Sequence, residues 1–260
     1  MSIIITIKDV LKFWIVKLPK IVWATMLFLQ FAQSQTMRGT TVVLVIRDTV
    51  AYLGADSRGI SDRKESVDTI CKIVACGNRI IGIKDIGVFY EPFGEVTKIL
   101  MHSMRQFPSD GVLQSIRRLD STWSNALLAD YGSGRSPARF TRIGFLACEY
   151  TDGAFDYFQV SYVVDTTGPI PRVDPPRVFP GRQRSAVIPF GFKDSIEALY
   201  KINKPFFIGT NPVVLLNSLI RIQAVKSPRY VGGPVNIVGL NKDGSWWVQG
   251  KKRCEPCDDK

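Results

Sequence analysis

Three short segments in the first third of the chain carry the side chains that nucleophilic catalysis uses. Gly39-Thr40-Thr41 supplies hydroxyls, Ala55-Asp56-Ser57-Arg58 supplies a carboxylate, and Lys72 supplies an ammonium group. A threonine hydroxyl is a poor nucleophile until a base removes its proton. An N-terminal threonine can use its own amine, which titrates at about pH 8, as that base. The plain alternative for the same residues is the start of a strand, a polar loop and a solvated lysine.

Metal and thiol chemistry has weaker support in this sequence. Cys254 and Cys257 form a C-x-x-C pair that could be half of a zinc site, but there is no second such pair, and the single histidine, His102, is far away in sequence. Five cysteines are an odd number in a chain too long for a disulfide scaffold. We therefore favour a local disulfide or two unpaired thiols for the pair, and we predict no metal and no cofactor.

The chain is basic, with a net charge of +11, of which +4 falls in residues 1–39 and +7 in the remainder. Such a charge attracts acidic partners in general. The basic residues are scattered, however, and no Lys/Arg block is longer than Lys251-Lys252-Arg253. No aromatic and basic surface motif accompanies them, so a soluble basic surface is the preferred interpretation and nucleic-acid binding is not expected.

Residues 1–39 differ from the rest and are interpreted as a leader. Lys17 and Lys20 precede an apolar run over 21–32, and Ala32-Gln33-Ser34 places small residues where a signal peptidase cuts. This layout predicts a secretory signal peptide with a short propeptide, and hence export. The apolar run is shorter than the ~20 residues of a membrane span, so a membrane anchor is expected only if the leader stays uncleaved. The alternative is an amphipathic propeptide helix on a cytoplasmic protein.

Hydrophobic patterning predicts strands in pairs and helices in pairs. The predicted strand pairs are 41–46 with 49–55, 70–75 with 79–83, 140–149 with 154–164, and 235–240 with 246–248. The predicted helices cover 88–105, 111–131, 194–202 and 212–224, and Asp110 and Asn211 are suitable N-cap residues before two of them.

The order of these elements predicts the fold class. Strand blocks and helix pairs without βαβ alternation argue against a parallel sheet. We expect an α+β fold, a four-layer αββα sandwich of two antiparallel sheets flanked by helix pairs. It would occupy residues 40–250, with a polar tail over 251–260. Residues 166–185, rich in Pro, Arg and Gly, are predicted to form an irregular surface excursion that could line a cleft or meet a partner.

This order, together with the residues above, resembles the proteasome β-subunit family of N-terminal nucleophile (Ntn) hydrolases. Gly39-Thr40-Thr41 looks like the family's processing site, and Ala55-Asp56-Ser57-Arg58 looks like its ADSR segment. Asp56 and Lys72 follow Thr40 by sixteen and thirty-two residues, which is the family's spacing for its catalytic aspartate and lysine. Near the C-terminus, 231–235 and 242–244 are similar to the family's last helix-to-strand connection and final hairpin. The resemblance covers about residues 39–250.

The resemblance implies a self-processing threonine peptidase or amidase, cut between Gly39 and Thr40. Thr40 would be the nucleophile, and Lys72 would lower the local pKa values while Asp56 fixes its position. Arg58 would join this network, and a backbone N–H at Gly87 would stabilise the oxyanion. The family's habit of forming rings implies a homo-oligomer acting on a peptide or other amide substrate.

One departure from the family lies just before Gly232. The family has an aspartate and a serine there that contact the threonine amine, whereas 227–231 contains no aspartate and only Ser227 could substitute. An inactive scaffold or ring subunit, with the Gly39–Thr40 bond intact, is therefore the alternative function. A basic protein that binds lipid or nucleic acid is the third, and its binding should fall steeply with salt.

Overall fold

A computed structural model describes residues 40–60, 66–67, 71–85, 96–132, 142–191 and 193–250. The leader, Gly39, Gly87 and the Cys254–Cys257 pair lie outside these described residues.

Two antiparallel sheets form the centre of the molecule. The first has the strand order β11-β1-β2-β12-β13, formed by β1 (Thr41–Arg47), β2 (Val50–Asp56), β11 (Ser185–Gly191), β12 (Val235–Asn241) and β13 (Gly244–Gln249). The second has the order β10-β8-β7-β6-β5, formed by β5 (Ile73–Cys76), β6 (Arg79–Asp85), β7 (Arg142–Thr151), β8 (Ala154–Asp165) and β10 (Arg177–Gln183), with β9 (Arg172–Val173) also paired to β8. A separate two-stranded ribbon consists of β3 (Gly59–Ile60) and β4 (Ser66–Val67).

The helices fall into two groups, one on the outer face of each sheet. The first group is α1 (Val96–Gln106), α2 (Val112–Arg117) and α3 (Asp120–Gly132), and the second is α4 (Asp194–Ile202), α5 (Lys204–Gly209) and α6 (Pro212–Lys226). The first group shares a buried cluster with β6, β7 and β8, which includes Trp123 and Phe145. The second group packs on β1 and β12 through residues such as Leu216 and Ile237.

The space between the two sheets is filled by a third apolar cluster. Val42, Leu44 and Leu53 of the first sheet meet Ile80 and Leu146 of the second there. Because β1 is covered by helices on one face and by a sheet on the other, its residues from Thr41 to Ile46 are all buried. This double burial explains the continuous apolar run in its sequence. The prediction of mixed α and β structure with two antiparallel sheets is confirmed.

The helix predicted over 111–131 is wrong as a single element. It is divided into α2 and α3 at Arg118–Leu119. Asp110 is not its cap, since the N-cap is Gly111 and the N–H of Val112 donates instead to Glu149 of β7 at 2.8 Å. The Asp110 carboxylate is bound to Arg118. A tertiary contact has therefore replaced the local cap, which sequence spacing alone could not show.

The irregular excursion predicted over 166–185 is also wrong in part. Residues 177–183 form β10, and after Arg184 the chain continues directly into β11. Both are edge strands of their sheets, so neither shows the alternation of apolar residues that reveals a half-buried strand. The predicted cap at Asn211 is confirmed, since its side chain accepts hydrogen bonds from the N–H groups of Val213 and Val214.

Candidate active site

The β1–β2 hairpin places Thr40 beside Asp56. Thr40 immediately precedes β1, and Asp56 is the last residue of β2. The register pairs Val42 with Ala55, so the backbone of Thr41 lies next to Asp56. Lys72 immediately precedes β5 in the other sheet, and its carbonyl accepts a hydrogen bond from the N–H of Ile83 at 2.9 Å. Three segments distant in sequence therefore meet at one end of the sandwich.

The Asp56 carboxylate is the centre of this cluster. It is fully buried, and its Oδ1 accepts from the N–H of Thr41 at 2.9 Å. Its Oδ2 accepts from the Nζ of Lys72 at 3.0 Å and from the N–H groups of Arg58 at 3.2 Å and Gly232 at 3.3 Å. Asp56 thus connects both sheets and the loop before β12 to the first residue after Thr40.

Lys72 is buried as well, with 2% of its surface exposed. Besides the bond to Asp56, its ammonium group donates to the backbone carbonyl of Arg58. These contacts hold the lysine head in one place. A buried lysine with a carboxylate partner keeps its charge at a defined position in a medium of low dielectric constant, where its field acts strongly on neighbouring groups.

The electrostatic environment of Asp56 combines opposing effects. Its complete burial raises the pKa of the carboxyl above the ordinary value of 3.8, while the positive charge of Lys72 and the N–H groups of Thr41 and Gly232 act to lower it. Burial disfavours a lone carboxylate, and the ammonium and the amide dipoles stabilise the charged form. The charge on Asp56 therefore depends on Lys72 and on the backbone contacts remaining in place.

Arg58 fixes the loop that closes the site. Its guanidinium donates to the carbonyl of Pro228 and lies against Gly232, where an added Cβ would come within 2.7 Å of the guanidinium carbon. The N–H groups of Ser57 and Arg58 both donate to the Gly232 carbonyl, at 3.2 and 3.1 Å. Arg58 therefore acts on the loop rather than directly on Thr40.

Gly191 belongs to this site and was not singled out in the sequence. It ends β11, pairs with Thr41 and has φ +91°, and a Cβ at this position would lie 2.0 Å from the Thr40 carbonyl oxygen. Only glycine allows both this conformation and this approach. The available signal was a glycine two residues after a proline in an apolar run, which became meaningful only once β11 was known to pair with β1.

Ser227 is not part of the Asp56–Lys72 cluster. It follows α6, where its hydroxyl accepts from Gln223 at 3.3 Å and its carbonyl accepts from the N–H groups of Tyr230 and Val231. These bonds terminate the helix, so the role that the family's serine suggested for Ser227 has no support in its contacts. Gly87, the oxyanion candidate, lies outside the described residues. His102 is exposed on α1, in the helix group on the outer face of the second sheet.

Within the described part of the chain, no cluster of three or more His, Cys, Asp or Glu side chains could hold a metal ion. Among the same residues, no helix is both long and apolar enough to cross a membrane. No protein-family model matches the chain, and comparison with curated proteins finds no similar sequence.

Proposed function

We propose that this protein is a self-processing N-terminal threonine hydrolase of the proteasome β-subunit type, which cleaves peptide or other amide bonds. The observation that carries the proposal is the buried contact of 3.0 Å between Asp56 and Lys72, attached through Asp56 to the backbone directly after Thr40. Burying an ion pair is costly unless its geometry and further hydrogen bonds compensate. A pair at this position is explained by a need for fixed positive charge beside a nucleophile.

The proposed reaction begins with cleavage of the chain itself. The Thr40 hydroxyl attacks the Gly39 carbonyl, the bond to the Thr40 nitrogen breaks, and the leader is held as an ester that water then hydrolyses. This releases the leader as a carboxylic acid and leaves a free α-amine on Thr40. The amine then serves as the base that takes the hydroxyl proton when a substrate amide is attacked.

Each charged residue has a distinct part in this proposal. The Lys72 ammonium stabilises the negative charge that develops near the threonine oxygen and lowers the pKa of the neighbouring amine. Asp56 is a positioning residue, since it touches Lys72 and the Thr41 N–H rather than the reacting atoms. Arg58 acts one step further out, by holding the loop around Gly232 against Asp56.

A catalytically inactive scaffold or ring subunit of the same fold is the second candidate. The observation that favours it is the state of residues 227–231, where no aspartate is present and the Ser227 hydroxyl is bound to Gln223. A subunit without a group to orient the threonine amine would handle protons poorly. In that case the Gly39–Thr40 bond would remain intact.

Self-association and export complete the proposal. The three helices of the second group each expose a large apolar side chain, Ile202, Ile208 and Val225, by 82, 70 and 80%, and apolar side chains of this kind form subunit contacts where they join into a patch. The leader is proposed to direct export before its removal. Fractionation of the native host and the molar mass of the mature protein measure these two properties separately.

The N-terminus of the mature protein tests the proposed function. We expect wild type to begin at Thr40 and Thr40→Ala to keep Gly39 attached, while Thr40→Ser, which retains a hydroxyl, is cut more slowly. Thr49→Ala makes the same change at an exposed turn and should be processed like wild type. Intact mass and N-terminal sequencing measure all four. An uncut wild type, or a Thr40→Ala variant cut at the same bond, would exclude self-cleavage and leave the scaffold.

A further inference from the structure

Two cysteines at the two ends of β5 are in disulfide bonds. Cys71, directly before Lys72, and Cys76, the last residue of β5, are both disulfide-bonded. Cys148 is buried in β7 and carries an unbonded thiol. The chain has five cysteines in all, and the remaining two are Cys254 and Cys257.

Cys71 and Cys76 cannot be bonded to each other. The register of β5 with β6 runs from Ile73, opposite Gly82, to Cys76, opposite Arg79, and the bond from the Ile83 N–H extends the pairing to Lys72. Five residue steps of extended chain separate Cα atoms by about 16 Å. A disulfide requires Cα atoms roughly 4.4–6.8 Å apart. Each of the two cysteines therefore has its partner elsewhere.

We propose that Cys254 and Cys257 are these partners, so that the C-terminal tail is held to β5 by two disulfide bonds. The dimensions agree. A C-x-x-C segment reaches about 10 Å when extended, and each bridge adds roughly 5–6 Å between Cα atoms, which together span the ~16 Å from Cys71 to Cys76. This arrangement replaces both the local disulfide and the half zinc site considered for the pair.

The exit of the chain from β13 supports this placement. Gly250, the residue after β13, lies against Asn236, since an added Cβ would be 2.1 Å from its Oδ1. Asn236 pairs with Ala55, the neighbour of Asp56, and Asp56 binds Lys72. The tail therefore starts at the end of the molecule where β5 begins. Among the described strands, β5 is also the edge of its sheet, so a segment can lie along it without displacing any of them.

The two bonds would fix the strand that positions Lys72. Each forms when two thiols lose two protons and two electrons to an external disulfide, such as oxidised glutathione, which is reduced to two thiols. Such bonds persist in oxidising compartments, which agrees with the export that the leader predicts. The proposal does not depend on catalysis, because it concerns bonds that an inactive scaffold would also contain.

Peptide mapping without reductant tests the pairing directly. Trypsin cuts after Lys72 and Arg253, which separates Cys71 and Cys76 into peptides 65–72 and 73–79 but leaves both tail cysteines in 254–260. With thiols alkylated at acid pH first, we expect a single species made of these three peptides, which separates on reduction. Release of 254–260 alone with an internal disulfide, alkylated Cys71 or Cys76, or a disulfide-linked dimer would overturn the proposal.

Thermal unfolding provides the second test. The double variant Cys254→Ser/Cys257→Ser should unfold about 5–10 °C below oxidised wild type, since two cross-links that close very long loops are lost. Wild type treated with reductant should fall to the same temperature, while the double variant should not respond to reductant. A double variant as stable as oxidised wild type would contradict the proposal. Processing at Thr40, measured in the same samples, reports separately on the proposed function.

Discussion

Two cations are buried at opposite ends of the hairpin formed by β5 and β6, and their partners differ in kind. Lys72 precedes β5 and binds the carboxylate of Asp56 at 3.0 Å. Arg79 begins β6 with 4% of its surface exposed, and its guanidinium donates to backbone carbonyls of Met104 at 3.1 Å and Asp110 at 2.8 Å, and to the Ser115 hydroxyl at 3.3 Å.

The difference separates a structural cation from a candidate catalytic one. Arg79 satisfies carbonyls at the end of α1 and in the turn that follows, where a helix lacks internal partners and has a partial negative charge. It therefore fastens the first helix group to its sheet. Lys72 instead binds a buried carboxylate, in addition to the Arg58 carbonyl, and that carboxylate is also bound to the backbone beside Thr40. The kind of partner, more than the depth of burial, indicates the role of a buried cation.

The largest expected effect is the loss of processing when Lys72 is removed. We expect Lys72→Met to slow cleavage of the Gly39–Thr40 bond by about 10³-fold, the order of loss when one charge-stabilising group is taken from an active site. Arg79→Met should change the rate in folded protein by less than about 10-fold, because the carbonyl and hydroxyl groups that it binds lie at the other end of the β5–β6 hairpin from Lys72. Time courses of intact mass measure both rates. Equal losses in the two variants would remove the distinction between the cations.

Arg79 should matter more for stability than for processing, and an exposed arginine provides the control. Arg79→Met leaves buried carbonyls of α1 and the following turn without a donor, and we expect the free energy of unfolding to fall by about 3 kcal/mol. Arg177→Met, the same change at an exposed position of β10, should stay within about 0.5 kcal/mol of wild type. Urea unfolding monitored by circular dichroism gives both values. A loss below about 1 kcal/mol in Arg79→Met would show that its hydrogen bonds stabilise little beyond what water supplies.

Substitution of Gly191 tests the close contact between β11 and the backbone of Thr40. We expect Gly191→Ala to destabilise the fold by about 2–3 kcal/mol and to slow processing, since its Cβ meets the Thr40 carbonyl in addition to the strain of positive φ. Gly153→Ala provides the control, because Gly153 has φ +78° but nothing within 4 Å of an added Cβ, and should cost about 1 kcal/mol. The gap between the two unfolding free energies measures the contact with Thr40. No gap would show that the backbone moves aside freely.

The smallest effect concerns the protonation of Asp56. Burial raises its pKa above 3.8, whereas the hydrogen bond from Arg118 lowers the pKa of the half-buried Asp110 below 3.8. As pH rises from 3.8 through the raised pKa, the unfolded chain loses the proton first, so the contribution of Asp56 to stability is lost in that window. The contribution of Asp110 is present above 3.8 and is lost as pH falls through its lowered pKa.

Carbon NMR of the two carboxyl groups measures these titrations. We expect the midpoint of Asp56 above 3.8 and that of Asp110 below it, and processing should fall as Asp56 takes up its proton, because Lys72 then lacks its counter-charge. A midpoint of Asp56 below that of Asp110 would mean that Lys72 and the backbone donors outweigh burial.

The sequence was most informative where one segment determines its own structure. The β1–β2 and β5–β6 hairpins and the Asn211 cap depend on neighbouring residues. The contact between Asp56 and Lys72 was implied by the family resemblance that these residues carry. The split between α2 and α3, the strands β10 and β11, and the place of Gly191 depend on pairings between distant segments. Glu149 capping α2 and Gly191 touching Thr40 leave no local pattern that could be found before the fold is known.

The direct connection between β10 and β11, which belong to different sheets, has a mechanical consequence. β10 borders one sheet and β11 borders the other, joined only by Arg184, whose carbonyl also accepts from the N–H of Asp48 at 2.8 Å. The two sheets are thus joined along one side by a connection of a single residue. At the opposite side, where β5 and β13 are the borders, the N–H of Ser245 in β13 donates to the carbonyl of Gly77 in the turn after β5 at 2.8 Å, so the sheets are held together there as well. The Asp56–Lys72 bond runs from one sheet to the other, so its length reports how far apart the sheets lie at the candidate active site.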